Sequence, residues 1–135
     1  MSTNQQIINR ALYELGSLEY GATADATDSA DALNDLNVMM AAKELESWDL
    51  NWFPQDDLTE TCPVPRWAEK GVVANLALEC GGTFNIMPTA QTVRKAEDGE
   101  RVILNTCINA KLEGADMSHL HQGENIRFDI ETGET

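Results

Sequence analysis

The sequence predicts an all-α protein: a bundle of about four helices with an extended C-terminal arm. Apolar residues recur at steps of three and four in four separate segments, which is the spacing of one helix face. Stretches that contain glycine or proline separate these segments and end each helix before the next begins. From Glu113 onward the chain is polar and the helical period is lost. We therefore divide the chain into a helical domain, residues 1–112, and an arm, residues 113–135.

The first predicted helix spans about residues 3–15. Gly16 follows it directly, where a left-handed C-terminal cap requires a residue without a Cβ atom. Its apolar face consists of Ile7, Ile8, Ala11, Leu12 and Leu15.

The second predicted helix, about residues 24–48, is the longest. Asp25, Asp28 and Asp31 lie in its first turns, where negative charge stabilises the positive end of the helix dipole. Its predicted inward residues are Ala26, Ala30, Leu33, Leu36, Asn37, Met40, Ala41, Leu45 and Trp48.

Residues 49–65 form a predicted linker, because its three prolines forbid a continuous helix. Trp52, Phe53 and Leu58 are apolar in this otherwise polar stretch. They either fold back to cover the end of the bundle or contact a partner subunit, since aromatic side chains are enriched at interface anchors.

Two further helices are predicted after the linker. The third begins after Pro65 and ends at Cys80-Gly81-Gly82. The fourth begins near Pro88 and continues to Leu112, and Gly99 predicts a kink or local break in its middle.

The arm contains one segment with strand-like alternation. Ile126, Phe128 and Ile130 fall on one side of an extended chain, with Arg127 between them. This segment is either a flexible end or a piece of chain that orders on another protein by strand addition or docking.

The charge balance excludes several classes of protein. Nine Lys and Arg against 23 Asp and Glu give a formal net charge of −14, which disfavours broad contact with nucleic-acid phosphates. Residues 1–50 and 51–135 each carry a net −7, so the acid is not concentrated in a tail. No apolar run approaches the ~18 residues of a membrane span, and the N-terminus lacks the features of a secretory signal. The excess of acidic side chains either keeps the protein soluble or prevents its surface from binding DNA.

Motifs for catalysis, metals and cofactors are absent from the sequence pattern. Three widely spaced cysteines predict free thiols in a reducing compartment rather than a disulfide or zinc site. His119 and His121 form a pair without a supporting third metal ligand. We therefore expect no cofactor, no metal and no enzymatic activity.

The order of short motifs resembles a known family. A helix ending Ala11-Leu-Tyr-Glu-Leu-Gly16 precedes a loop with Gly21-Ala-Thr-Ala and a long helix with Asp31-Ala-Leu-Asn-Asp-Leu-Asn-Val-Met-Met40 and Trp48 eight residues on. Val72-Val-Ala-Asn-Leu-Ala-Leu-Glu-Cys-Gly81 and a last helix after Pro88 follow. Over about residues 4–110 this order is similar to the small head-to-tail adaptors of tailed bacteriophages, especially the tail accessory factors, or packaged-DNA-stabilisation proteins, of short-tailed phages.

This resemblance implies a structural role in the virion. Such adaptors form a ring, typically a dodecamer, beneath the portal protein at the capsid vertex, after synthesis in the host cytoplasm. The ring extends the DNA channel, helps to retain packaged DNA and supports the next tail or nozzle protein. DNA is expected to pass through the lumen without specific binding, and no catalytic residue is implied.

Two sets of candidate site residues follow. In the family the terminal segment reaches along the portal, so the candidate portal-docking residues are Ile126, Arg127, Phe128 and Ile130. The candidate subunit-interface residues are Met39, Met40, Trp52 and Phe53, because two adjacent methionines cannot both point into one narrow seam and the linker aromatics suit an interface.

Two alternatives share some of these features. An acidic inhibitor that mimics DNA for a DNA-processing enzyme has a similar charge and size, but it requires acids concentrated on one face. A tail component that degrades the cell wall requires a pair of carboxylates in a cleft.

Overall fold

The computed structural model describes residues 1–114, which fold into four helices without a sheet. The helices are α1 (Asn4–Leu15), α2 (Ala26–Leu45), α3 (Arg66–Thr83) and α4 (Ala90–Gly114). The predicted all-α bundle is therefore confirmed, while the arm from residue 115 onward lies outside the described residues.

Local capping explains where the first two helices begin. The Thr3 hydroxyl accepts a hydrogen bond from the Gln6 N–H at 3.2 Å, and the Gln6 side chain accepts one from the Thr3 N–H at 2.9 Å. The Asp25 carboxylate accepts from the Asp28 N–H at 2.8 Å at the start of α2. At the other end of α1, Gly16 adopts the predicted left-handed conformation, with φ 93°.

The second helix ends at Leu45, earlier than predicted. Ser47 adopts a left-handed conformation, φ 78°, and the Trp48 N–H donates to the Lys43 carbonyl. This turn directs the Trp48 side chain into the core, where it is fully buried, and the Lys43 ammonium lies 5.2 Å from the ring centroid. Trp48 is thus a core residue, as predicted, but it belongs to a turn rather than to the helix.

The inward face of α2 also differs from the prediction. Four of the predicted inward residues lie outside the helix face that packs into the bundle and are therefore exposed: Ala26, Ala30, Ala41 and Leu45. Alanine occurs on both sides of α2, so its positions do not define the buried face. The buried residues of α2 are Ser29, Ala32, Leu33, Leu36, Met39 and Met40.

Helix α3 lies at the centre of the bundle. Each of the other three helices packs against it, and α4 does so most extensively. The core around it is built from large apolar side chains with almost no exposed surface, including Ile7, Ile8, Leu12, Leu36, Met40, Trp48, Val64, Val72, Leu76 and Ile103.

The contact between α3 and α4 is a direct approach of two backbones. A Cβ atom built on Gly99 would lie 2.4 Å from the Gly71 Cα atom, and one on Gly71 would lie 2.8 Å from Ile103 Cδ1. The Asn75 amide spans this crossing, donating to the carbonyls of Gly71 at 2.8 Å and Ala96 at 3.1 Å. Helix α4 is continuous through Gly99, so of the predicted kink or local break the break is absent. Gly99 allows the close approach of α3, because it has no Cβ atom.

Helix α3 continues past its predicted end. It runs through Gly81 and Gly82 to Thr83. A Cβ atom on Gly81 would lie 2.8 Å from the Ile86 carbonyl oxygen, so this glycine makes room for the returning chain rather than ending the helix. The Thr89 hydroxyl then accepts from the Thr92 N–H at 3.2 Å as α4 begins.

We predict that Gly99→Ala destabilises the protein by about 1–3 kcal/mol, because the new methyl group forces α3 and α4 apart. The matched control is Gly82→Ala, which places its methyl in open space on α3. This control is expected to be neutral or stabilising by about 0.5–1 kcal/mol. Urea unfolding followed by circular dichroism measures both, and equal stabilities for the two variants would contradict the packing argument.

Candidate functional site

A buried polar network holds the linker against the bundle. The Asn37 amide donates to the Gln55 carbonyl at 2.7 Å and accepts from the Gln55 N–H at 2.8 Å. The Asn4 amide donates to the Gln55 side chain at 3.0 Å. Asn37, predicted as one of the inward residues of α2, thus fixes a linker whose own residues form no helix.

The start of the chain pairs with the second half of the linker. The N–H groups of Asn4 and Gln5 donate to the carbonyls of Glu60 and Leu58, and the Cys62 N–H donates to the Ser2 carbonyl, each at 2.9 Å. These bonds tie the linker to α1 as well as to α2.

Glu69 joins α3 to the same region. Its carboxylate accepts from the Ser2 N–H and hydroxyl, both at 3.1 Å, and from the Arg10 guanidinium at 3.2 Å. Burial alone would raise the pKa of Glu69, but the hydrogen bonds from Ser2 and Arg10 together lower this pKa below its usual range. The carboxylate is therefore held ionised at the junction of α1, α3 and the N-terminal segment.

The two predicted linker aromatics have different environments. Trp52 is partly buried and packs against the core together with Leu58, as the bundle-covering interpretation predicts. Phe53 leaves 58% of its surface exposed, as an interface residue would. The interface role of both residues stays a prediction.

Phe53 belongs to an exposed apolar patch at the linker end of the bundle. It lines a shallow hollow of about 660 Å³ together with Met1, Trp67, Pro63 and Pro65. We call these five residues the linker-end patch. Met1 and Trp67 are 63% and 45% exposed, so the patch presents large apolar side chains to solvent.

A second apolar surface lies on the outward side of α2. Val38 is 59% exposed, Leu45 is 90% exposed, and Ala41 and Ala42 between them are also exposed. Their spacing of three, four and seven residues places all four on one helix face, away from the buried face. We call this set the outer stripe; its two alanines allow another backbone to approach closely.

Met39 and Met40, predicted as interface residues, do not reach the surface of the protomer. Both side chains are buried in the core, because they lie on the same face of α2 as Leu36. Leu45, predicted to point inward, and Val38 are exposed apolar residues, and their seven-residue spacing was the available signal in the sequence.

The candidate portal-docking residues lie outside the described residues, and so do His119 and His121. The structure therefore leaves Ile126, Arg127, Phe128 and Ile130 as predictions.

All three cysteines are buried and free, which confirms the prediction of free thiols. Burial, together with the nearby Glu69 carboxylate, raises the pKa of Cys62 to about 12. Burial also raises the pKa of Cys80 to about 12, and the neighbouring Asp35 contributes. Both thiols are thus protonated and shielded at neutral pH.

Residues 1–114 contain neither a group of three or more His, Cys, Asp and Glu side chains placed to hold a metal ion nor a helix apolar and long enough to cross a membrane. Cross-helix ion pairs join Lys43 to Glu100 at 2.8 Å and Lys95 to Glu14 at 3.0 Å. The exposed apolar side chains of the linker-end patch and the outer stripe make these two surfaces the candidate site for contact with another chain.

A scan of the chain against protein-family models finds no match, and a search of curated proteins finds none either.

We predict that Asn37→Ala loosens the linker, because it leaves the buried Gln55 N–H and carbonyl without their partner. The expected loss is about 1–3 kcal/mol in the free energy of unfolding. Asn34→Ala, an exposed asparagine one turn earlier, is the control and is expected to change stability little. Urea unfolding measures the difference; hydrogen exchange at Gln55 that is as slow in the variant as in the wild type would contradict the prediction.

We predict that Glu69→Gln lowers stability at neutral pH by about 1 kcal/mol or more. Because the pKa of Glu69 is lower in the folded than in the unfolded protein, its contribution is full above the unfolded pKa, near 4.5. That contribution is lost as the pH falls through the folded pKa, so the variant should lose less stability in acid than the wild type. Unfolding curves across this pH range test it, with the exposed Glu97→Gln as control.

Proposed function

We propose that the protein is a structural virion protein, a head-to-tail adaptor. It forms a ring, expected to be a dodecamer, beneath the portal protein, extends the DNA channel and helps to retain packaged DNA. It offers the next tail or nozzle protein a platform, and it has no catalytic role.

One observation supports the ring more than any other. A small helical protomer exposes two unlike apolar surfaces, the linker-end patch and the outer stripe, on different elements. A ring requires a heterologous contact, in which one surface of a subunit meets a different surface of the next. Exposed Phe, Trp, Leu and Val side chains on both surfaces supply the apolar area that such contacts bury.

The negative net charge of the chain is consistent with a channel through which DNA passes. With a formal net charge of −14, the ring presents excess negative charge to the duplex, so DNA passes through the lumen rather than binding to it. Ion pairs within the protomer already engage several of its cations, including Arg10, Lys43 and Lys95.

The arm supplies the contact with the portal. Ile126, Phe128 and Ile130 form the apolar side of its alternating segment, and Arg127 adds one cation. Docking of such a segment loses chain entropy and gains backbone hydrogen bonds and apolar burial.

The direct test mixes the purified protein with purified portal rings and examines the mixture by sedimentation and electron microscopy. A co-sedimenting complex with an additional ring below the portal supports the proposal. A protein that remains separate from the portal refutes it, and binding to a nuclease that is competed by DNA would favour the DNA-mimic alternative instead.

We predict that truncation after Gly114 abolishes portal binding and leaves the helical circular dichroism signal of the bundle unchanged, because the core lies within residues 1–112. Phe128→Asp in the full chain should weaken binding in the same direction. His121→Ala, also in the arm, serves as control and should bind as the wild type does. Full portal binding by the truncated protein would show that the arm is not the anchor.

A further inference from the structure

A groove runs along α3 between α1 and α4. Its floor consists of buried residues of α3, among them Gly71, Val73 and Ala74. Tyr13 of α1 lines one side and Val102 of α4 the other. A floor of small residues between two helices is a shape that accepts a third helix.

The groove consists of two adjoining hollows of about 280 and 230 Å³. Lys70 and Lys95 line both hollows. Trp67 lines the first hollow and also belongs to the linker-end patch, so the groove and the patch adjoin at this side chain.

Both basic and acidic side chains line this groove. Arg10, Lys70 and Lys95 are three of the nine Lys and Arg residues of the chain. Within the protomer Arg10 pairs with Glu69 and Lys95 pairs with Glu14. Asp98, which lines the adjoining hollow, pairs with Arg101. Lys70 forms no ion pair within residues 1–112 and remains available to an acidic partner.

The groove also concentrates exposed aromatic side chains. Tyr13 and Tyr20 pack edge to face, with ring centroids 5.5 Å apart, and Tyr20 is 87% exposed. With Trp67 they are three of the five Tyr and Trp residues of the chain. Exposed aromatic residues beside cations suit an occupant that is both apolar and acidic.

Helix α2 of a second copy has this chemistry. Its outer stripe is apolar, and the small side chains of Ala41 and Ala42 match a groove with a small-residue floor. Exposed Asp31 and Glu44 lie on α2 beside the stripe and carry the charge opposite to that of the groove cations.

We propose that the outer stripe of one copy docks in the groove between α1 and α4 of the next copy. This inference rests on the proposed ring and names its subunit contact. The two surfaces lie on different elements of the protomer, so the contact is heterologous and repeats from copy to copy until the ring closes.

A cross-linking experiment tests which surfaces meet. The full-length double variant Ala41→Cys, Val102→Cys, which places its second thiol on an exposed residue of the groove and keeps Lys70, is treated with a short bismaleimide, alone at high concentration and bound to portal rings. The three native cysteines are buried and react slowly, so links form at the two new thiols. We expect a ladder of dimers, trimers and larger products, whereas Ala41→Cys alone and the pair Ala41→Cys, Lys111→Cys should give little product.

Variants of opposite charge at one position of the outer stripe test whether electrostatic attraction contributes to docking in the groove. Ala41→Lys and Ala41→Glu place side chains of similar length but opposite sign on the exposed stripe. We expect Ala41→Lys to assemble about tenfold less well than Ala41→Glu, because it meets the groove cations, and Lys70→Glu to restore assembly of Ala41→Lys. Ala110→Lys, exposed on α4 and not among the residues that line the groove, should assemble as the wild type does.

Each other outcome overturns the inference. Efficient cross-linking by Ala41→Cys alone would show that the outer stripes of two copies contact each other. Equal assembly of the two Ala41 charge variants would exclude a cationic partner surface. Loss of portal binding by Lys70→Glu, without a ladder from the double variant, would assign the groove to a portal helix. A ring on the portal without the ladder overturns this contact alone, while a protein that neither binds the portal nor associates overturns the proposed function as well.

Discussion

The close contact of α3 with α4 at Gly71 and Gly99 is the constraint on which the rest of the structure depends. Neither position has room for a Cβ atom, so the two backbones meet directly. This approach brings Ile103 and Cys107 of α4 into the core and brings Glu100 within 2.8 Å of Lys43 on α2. It also shapes the groove beside it, because the floor of the groove is the face of α3 next to this crossing.

A second set of constraints is polar and holds the linker. Asn37 and Asn4 bind Gln55, and the N-terminal segment pairs with residues 58–62. These bonds satisfy backbone groups that would otherwise be buried without partners, which costs more than an ordinary hydrogen bond gains. By holding the linker in place, these bonds also set the positions of its two aromatic residues: Trp52 packs against the core, and Phe53 stays at the surface.

The division between core and surface gives the molecule its proposed role. A bundle whose apolar residues were all buried would have no exposed apolar area with which to join copies of itself. This protomer buries its methionines Met39 and Met40 and instead exposes Val38 and Leu45 on the opposite side of α2. Apolar contacts would supply the attraction between subunits. Because most of the surface is acidic, the cations of the groove would determine which surface of the next subunit binds there.

The sequence by itself determined the four helices and several of their ends. Thr3, Asp25 and Gly16 act through bonds to residues within five positions, and such local physics can be read from the chain. Only the tertiary structure decided the roles of Gly99 and Gly81. In a sequence, a glycine that ends a helix cannot be told from a glycine that lets a neighbouring part of the chain approach closely. Tertiary packing likewise decided which side of α2 is buried and that Asn37 holds the linker. Alanines and methionines fit either face of a helix, and the neighbours that bury one face come from distant parts of the chain.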